Sequence, residues 1–166
     1  MARSGTVIVG RWANSLFEFH DPGELRDGDL ALVLAQTHPE DPAIGWAPSY
    51  RFTMVRAGQG TRLGRIDLRV GESHQLVMYA GHIGYEVAPE HRGHHYAARS
   101  CRLLLPLARS HGLIVVWITC NPDNWASRRT CELAGAELVE IVDLPGDNEM
   151  YWRGERQKCR YRIDLS

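Results

Sequence analysis

The clearest chemical signal in this sequence lies at residues 87–97, which read Val-Ala-Pro-Glu-His-Arg-Gly-His-His-Tyr-Ala. The stretch follows an extended apolar segment and leads into a helical pattern, and Arg92-Gly93 marks a tight turn between them. Backbone N–H groups at the start of a helix lack intrahelical partners, and they lie at the positive end of the helix dipole. Such a junction binds phosphate without needing a lysine. The stretch therefore predicts a nucleotide-phosphate site.

A second informative stretch lies at residues 121–129, which read Asn-Pro-Asp-Asn-Trp-Ala-Ser-Arg-Arg. It opens a helical pattern that ends at Gly135, and Asp123 or Asn124 is typical of the residue that caps such a helix. One predicted helix and one predicted strand separate the two stretches. Each stretch alone is weak evidence for a function, but their order along the chain can be compared with known patterns.

The ordered pair resembles two motifs of the GNAT N-acetyltransferase superfamily, over about residues 28–166. The first motif is the acetyl-CoA pyrophosphate loop: Arg or Gln, two residues, Gly, one residue, then Gly or Ala. Arg92 takes its first position and Ala97 its last, while His95 replaces the middle glycine. Only the backbone N–H is needed at that position, so we expect binding to survive if His95 keeps helical backbone angles.

The second stretch is similar to the family's Asn-x-x-Ala/Ser helix, which closes over the thiol arm of the cofactor. Asn124, Ser127 and Gly135 match it. The strand before the first motif would pair with the pantetheine arm through its backbone. The residues that the resemblance places against acetyl-CoA are Glu86, Val87, Arg92, Gly93, His94, His95, Tyr96, Ala97, Asn124 and Ser127.

The resemblance implies an enzyme that moves an acetyl group from acetyl-CoA to a primary amine by direct attack. Strand periodicity puts His82 and Glu86 on one face, and either could be the general base. Cys131 stands where the family often has a tyrosine that protonates the leaving thiolate, so it is a candidate acid or a small core residue. Tyr96 and Tyr151 are other candidate donors.

Two other functions remain open. Cys131, His95 and a short acceptor region would suit a CoA-binding module that has lost catalysis. A nucleotide-phosphate protein of another class is the third reading, although no Gly-x-x-x-x-Gly-Lys-Ser/Thr run is present. Structural roles also compete at single positions: a solvated basic turn at Arg92, a paired surface carboxylate at Glu86 and a sheet residue at His82.

Composition and net charge indicate which classes of partner to expect. The chain has 166 residues, a net charge of −1 and no apolar run near the roughly 20 residues that span a bilayer, so we expect no nucleic acid and no membrane partner. Four unpatterned cysteines suggest reduced thiols in the cytoplasm, with no disulfide and no metal site. The acceptor is expected to be a small-molecule or peptide amine, and a homodimer is left open. Six basic residues are expected either to meet the CoA 3′-phosphate or to form a solvated face. They are Arg128, Arg129, Arg153, Arg156, Lys158 and Arg160.

These motifs require one α/β domain over residues 1–166, in which residues 1–28 are expected to be irregular apart from a short strand at 7–9. We expect a mixed central sheet of about six to seven strands, flanked by helices, with a splayed strand pair for the cofactor. About fourteen residues separate the first two main strands, so the two helices that the family places there must be reduced or missing. The predicted strands are 30–35, 50–55, 66–70, 76–87, 114–119, 138–142 and 159–165, the predicted helices begin near 97 and 124, and loops cover 37–48 and 144–157.

Overall fold

The computed structural model of the protein describes the backbone of residues 8–9 and the whole of residues 17–166. Two single helical turns, at Leu76–Ala80 and Pro89–His91, flank the strand that leads to the predicted phosphate turn. The strands are β1 Ile8–Val9, β2 Glu18–Phe19, β3 Leu25–Asp27, β4 Leu30–His38, β5 Ser49–Arg56, β6 Arg62–Arg69, β7 Ile83–Val87, β8 Val115–Cys120, β9 Glu137–Asp143 and β10 Gln157–Asp164. The helices are α1 Tyr96–Ser110, α2 Trp125–Leu133 and α3 Glu149–Trp152.

The main strands form two antiparallel sheets, of five strands in the order β3-β4-β5-β6-β7 and of three strands in the order β8-β10-β9. Alternation along β5 puts Tyr50, Phe52 and Met54 in the core, where each is fully buried. Helix α1 packs on this core face through Cys101 and Leu104, which are also fully buried. The predicted α/β class and the half-buried strands are confirmed.

The two sheets join where β7 begins. The backbone N–H of His82 donates to the carbonyl of Trp117 in β8, over 2.7 Å. Beyond this point β7 pairs only with β6, and β8 pairs only with β10, among the residues that the structure describes. The strands β7 and β8 therefore part after His82 and Trp117, and they form the expected splayed pair.

The prediction of one long strand over residues 76–87 was wrong. Its first half is the helical turn Leu76–Ala80, which the hydroxyl of Ser73 starts by accepting from the N–H of Leu76. The turn ends at Gly81, which has a φ of 76° and donates to the carbonyl of Leu76. A continuous apolar run carries no period, so the sequence did not distinguish the turn from a strand.

Two other segments hold more regular structure than expected. The loop predicted at 144–157 contains the short helix α3, whose cap is Asn148 accepting from the N–H of Met150. The segment 1–28, expected to be irregular apart from a strand at 7–9, includes β2 and β3 in addition to β1, which lies within the expected strand. Residue 7 of the strand expected at 7–9 lies outside the described residues, as do residues 1–6 and 10–16.

The connection between β4 and β5 has no helix. Residues 39–48 form a loop with one isolated bridge, between Asp41 and Trp46. This confirms that the family's helices are missing there, so no helix from this connection packs on the face of the five-stranded sheet opposite α1. Across residues 8–9 and 17–166, no helix is long and apolar enough to cross a bilayer.

Candidate active site

A cleft of about 480 Å³ opens between the end of β7, the turn that follows it and the first turns of α2. Nine of the ten residues predicted to meet the cofactor line this cleft, and only His94 does not. The two motifs meet because α1 follows β7 and α2 follows β8, and these strands are neighbours at the splay. The cleft also includes Arg129, a candidate for the CoA 3′-phosphate. Residues that sequence reasoning did not place here are Tyr85, His91, Ala126, Thr130 and Leu133.

The turn before α1 presents free backbone donors to the cleft. The N–H groups of residues 93–98 donate to no backbone carbonyl within the described chain, and the first amide of this region to do so is that of Arg99, bonded to His95. The side chain of Arg92 braces the turn, since its Nε donates to the carbonyl of Val87 over 3.0 Å. Gly93 has a φ of 94° and open space where a side chain would lie. This geometry suits a pyrophosphate group.

His95 does not have the helical backbone angles on which the sequence analysis made CoA binding conditional. Its φ and ψ are 60° and 26°, which is the left-handed region, and it is the only non-glycine residue with positive φ in the described chain. This explains why the family pattern has glycine at the position. The left-handed conformation costs a residue with a Cβ about 1–2 kcal/mol.

Replacing His95 by glycine should therefore be tolerated. Glycine removes the left-handed strain but loses more chain entropy on folding, so we expect the free energy of unfolding to stay within about 1 kcal/mol of that of the parent chain. CoA affinity should be equal or tighter. Urea denaturation and calorimetry measure the two effects, and a tenfold weaker affinity would show that the His95 ring itself contacts the ligand.

The side chain of His82 is hydrogen-bonded at the point where β7 and β8 separate. It is 1% exposed, its Nδ1 accepts from the N–H of Trp117 over 2.9 Å, and its Nε2 lies 2.9 Å from the carbonyl of Gly71. Because Nδ1 accepts, the ring proton is on Nε2, which donates to Gly71. Burial lowers the pKa of His82, which favours this neutral form. Both ring nitrogens are occupied, so the geometry favours a structural role for His82 over the role of base.

Glu86 lies on the open face of β7 at the rim of the cleft. Its side chain is 67% exposed, and one oxygen lies 3.5 Å from the guanidinium of Arg65 on β6. An exposed ion pair of this length is weak, so the carboxylate of Glu86 can bind an incoming ammonium group in place of Arg65. Of the two candidate bases, only Glu86 has free acceptor atoms beside the cleft.

The opposite face of β7 carries Tyr85, a cleft residue to which the sequence analysis gave no role. Its hydroxyl lies 2.6 Å from the Oγ of Ser127 and 3.9 Å from the Sγ of Cys131, both on α2. Burial raises the pKa of Tyr85, so the phenol keeps its proton. Strand alternation gave the face of Tyr85, but only the packing of α2 against β7 shows what it contacts.

Cys131 is fully buried under this hydroxyl and does not line the cleft. A hydrogen bond with Cys120, together with burial, raises the pKa of Cys131, so it holds its proton firmly. All four cysteines are free thiols and all are buried. The surroundings of Cys131 are those of a small core residue.

The remaining candidate residues make contacts that stabilise the fold. Asn124 caps α2, with its Oδ1 accepting from the N–H of Ser127 over 3.1 Å. Tyr96 lines the cleft but is buried, and its hydroxyl donates to Asp29 over 3.1 Å. Tyr151 lies under the guanidinium of Arg156 and does not line the cleft. Neither tyrosine hydroxyl is placed to act on a ligand in the cleft.

Most of the basic residues near the C-terminus have structural partners. Lys158 pairs with Glu155, and Arg160 pairs with Glu140 and lies over the ring of Trp117. Arg128 donates to the hydroxyl of Tyr161. Arg129 also has a partner, Glu132 at 3.1 Å on the surface, and it is the one residue of these six that lines the cleft. No group of three or more His, Cys, Asp or Glu side chains suited to a metal ion occurs among the described residues.

The sequence matches the model of the acetyltransferase (GNAT) domain over residues 15–137, which is most of the chain. The chain belongs to the GNAT acetyltransferase family. Acetyl-CoA is the co-substrate that membership of this family implies. No curated protein matches the sequence.

Solved GNAT structures share the fold at low sequence identity. A GNAT acetyltransferase from Bacillus anthracis is 20% identical with a TM-score of 0.55, over 69% of this chain and 66% of that one. A Vibrio cholerae protein proposed to be a ribosomal-protein-serine acetyltransferase is 13% identical with a TM-score of 0.62, over 87% and 99%. Spermidine N-acetyltransferase from Vibrio cholerae, solved with CoA and spermine, is 16% identical with a TM-score of 0.53, over 70% and 66%. The chain thus spans just under two thirds of the first and third of these proteins.

Proposed function

We propose that this GNAT protein is an acetyl-CoA-dependent N-acetyltransferase that acts on a primary amine by direct attack. The observation that carries the proposal is the single cleft into which the fold brings both motifs. At one end lie the free N–H groups of the turn at residues 93–95, and at the other lie Glu86 and Tyr85. Four free, buried cysteines suit a reducing compartment such as the cytoplasm.

The cleft can hold CoA through backbone groups. The turn after β7 and the N-terminus of α1 would bind the pyrophosphate, and the side of β7 that faces away from β6 would pair with the pantetheine arm like an added strand. Asn124 and Ser127 would close over the same arm from α2. Backbone N–H groups of β7 would stabilise the negative charge that develops on the thioester oxygen.

Glu86 is the proposed base. An acceptor arrives as an ammonium ion and must lose a proton before its nitrogen can attack the thioester. The exposed carboxylate of Glu86 can attract the ammonium group and take that proton directly or through a water molecule. His82 would support this step only indirectly, because it fixes the separation of β7 and β8.

Tyr85 is the proposed proton donor to the departing thiolate. Its hydroxyl lies at the cleft wall beside Ser127, where the thiol arm would lie between β7 and α2. A phenol that keeps its proton at neutral pH can donate a hydrogen bond to a developing thiolate. In the family, a tyrosine at the position of Cys131 often supplies this hydroxyl. In this chain, Tyr85 on the facing strand β7 would supply it instead.

Cys131 should then be dispensable for chemistry. We expect Cys131→Ala to keep turnover within about tenfold of the parent enzyme, because losing a true general acid costs about 10² to 10⁴ in rate. Tyr85→Phe is the matched contrast and should lose more than Cys131→Ala at equal CoA affinity. Steady-state rates with acetyl-CoA and an accepted amine measure both, and the reverse order would make Cys131 the acid.

The proposed activity is tested by thiol release from acetyl-CoA in the presence of a panel of amines. An N-acetyltransferase releases free CoA only when an acceptable amine is present, and mass spectrometry finds the acetylated amine. If CoA binds but no amine is acetylated, the chain is the non-catalytic CoA module that the sequence left open. Failure to bind CoA at all would contradict both readings.

A further inference from the structure

The open face of the five-stranded sheet carries a strip of charged side chains beside the proposed acetyl site. The loop that connects β4 to β5 carries no helix to pack on this face, and the side chains of Arg51 and Glu86 on it are 37% and 67% exposed. We call these residues the charged strip. It consists of Arg51, Arg65, Asp67, Arg69 and Glu86.

Within the strip, the carboxylate of Asp67 already has an ion-pair partner. Arg51 donates to its two oxygens in a bidentate pair, at 2.8 and 3.0 Å. Such a fork is the strongest geometry for this type of pair. Asp67 is therefore committed to Arg51 and not to its other neighbour on the same strand, Arg69.

Arg69 is a cation with no carboxylate partner among the described residues. Its guanidinium lies over Gly84, 3.1 Å from the point where a Cβ would be, and its Nη1 donates to the carbonyl of Gly81 over 3.1 Å. Burial lowers the pKa of Arg69; the charge of Asp67 opposes this shift, and the nearby cations Arg51 and Arg65 add to it. A partly buried guanidinium in this position gains from an anionic ligand.

Gly84 gives the guanidinium room. A Cβ at residue 84 would lie 3.1 Å from Nη2 and 3.4 Å from Nη1 of Arg69, a close contact that the glycine avoids. Glu86 is two residues further along the same face, which is about 7 Å along a strand. The acceptor side of the proposed site therefore presents one cation and one loosely paired carboxylate, a short distance apart.

We propose that the acceptor is a small amine with a carboxylate a few bonds from its nitrogen, of the α-amino acid type. This rests on the proposed function and names the substrate class of the same site. The ammonium group meets Glu86, which takes its proton, and the carboxylate meets the guanidinium of Arg69. The amine nitrogen then forms its bond to the acetyl carbon, the bond from that carbon to sulfur breaks, and the thiolate takes a proton from Tyr85. The nitrogen releases its second proton as the amide forms, and this proton restores the hydroxyl of Tyr85, directly or through water.

The charge balance of the strip disfavours a polyamine. Three arginines face two carboxylates, and one of those carboxylates is held by Arg51. A polycation would add repulsion from Arg65 and Arg69, whereas a zwitterion brings a carboxylate for Arg69 and only one ammonium group, which shares Glu86 with Arg65. Uncompensated charge of this kind is a common source of substrate discrimination.

The experiment compares amino acids with their own amides, which keep the amine and remove the carboxylate, and includes spermidine and a short peptide as other classes. With the parent enzyme, the preferred amino acids should exceed their amides by at least about tenfold in kcat/KM, because the site would leave Arg69 unpaired with an amide. Arg69→Gln should remove most of this preference by raising KM for the amino acid. Arg69→Lys should recover part of it.

Arg62→Gln is the control, since Arg62 is an exposed arginine on the same strand and does not belong to the strip. It should change neither the preference nor CoA affinity. Calorimetry with CoA and circular dichroism check that Arg69→Gln remains folded, and Arg69→Lys repeats the test with the charge retained.

If CoA binds and amides, spermidine or the peptide are the better acceptors, the inference is overturned while the proposed function stands. If Arg69→Gln keeps the full preference for amino acids, Arg69 does not read the carboxylate and the inference is equally overturned. If CoA binds and no amine is acetylated, the proposed function fails, and the substrate class fails with it.

Discussion

Gly93→Trp should reduce CoA affinity by roughly a hundredfold or more, the largest effect expected of any single change in the chain. Gly93 lies at the centre of the turn whose N–H groups would surround the pyrophosphate, and nothing occupies the space that its side chain would enter. An indole ring there would fill the phosphate position and block the close approach of the backbone. Calorimetry with CoA measures the loss.

A matched control separates this effect from backbone strain. Gly154 has a φ of 101°, close to the 94° of Gly93, and it also has open space around it, but it does not line the cleft. Gly154→Trp should therefore cost similar stability and leave CoA affinity unchanged. Equal affinities for the two variants would show that the turn at Gly93 does not hold the cofactor.

Glu86→Gln should lower kcat/KM for an accepted amine by about a hundredfold near pH 7, because general bases typically contribute about 10² to 10⁴ in rate. The change keeps the shape of the side chain and removes its charge, so CoA affinity should stay near normal. The loss should be smaller at higher pH, since a larger fraction of the amine is already deprotonated and needs no base. A pH–rate profile of both enzymes measures this.

Glu90→Gln is the control for Glu86→Gln, because Glu90 is an exposed carboxylate in the same segment that does not line the cleft. It should behave like the parent enzyme at every pH. If Glu86→Gln is also unchanged across about pH 6 to 9, the carboxylate belongs only to the sheet surface and the proton leaves by another route.

Strands with a clear alternation were predictable from the sequence. Tyr50, Phe52 and Met54 alternate with polar residues, and they form the buried face of β5. The helix at 97 was predictable from the spacing of its apolar residues, and the helix at 124 from its cap. Because each helix follows one strand of the splayed pair, the order of the motifs was enough to place Arg92, Asn124 and their neighbours in one cleft.

What the sequence did not reveal depends on contacts between distant segments. His82 was a candidate base because strand periodicity put it beside Glu86, but its ring is held by Trp117 and Gly71 from two other parts of the fold. Tyr85 received no role because its partners lie on α2, 42 and 46 residues away. Local sequence patterns show on which face of a strand a residue lies. They do not show which element packs against that face.

His95 shows a different limit. The missing glycine was visible in the sequence, but the backbone angle at the position was not: helical angles were given only as a condition for binding, and the structure has a left-handed residue. A histidine tolerates this conformation at a modest cost. The family pattern thus reflected a backbone requirement that a single sequence does not show.

The central claim is that the cleft between β7, the turn at Gly93 and α2 binds CoA, and titration calorimetry of the intact protein with CoA tests it most directly. We expect one CoA per chain, with binding lost in Gly93→Trp and retained in Gly154→Trp. No detectable heat of binding to the parent protein at millimolar CoA would contradict the claim.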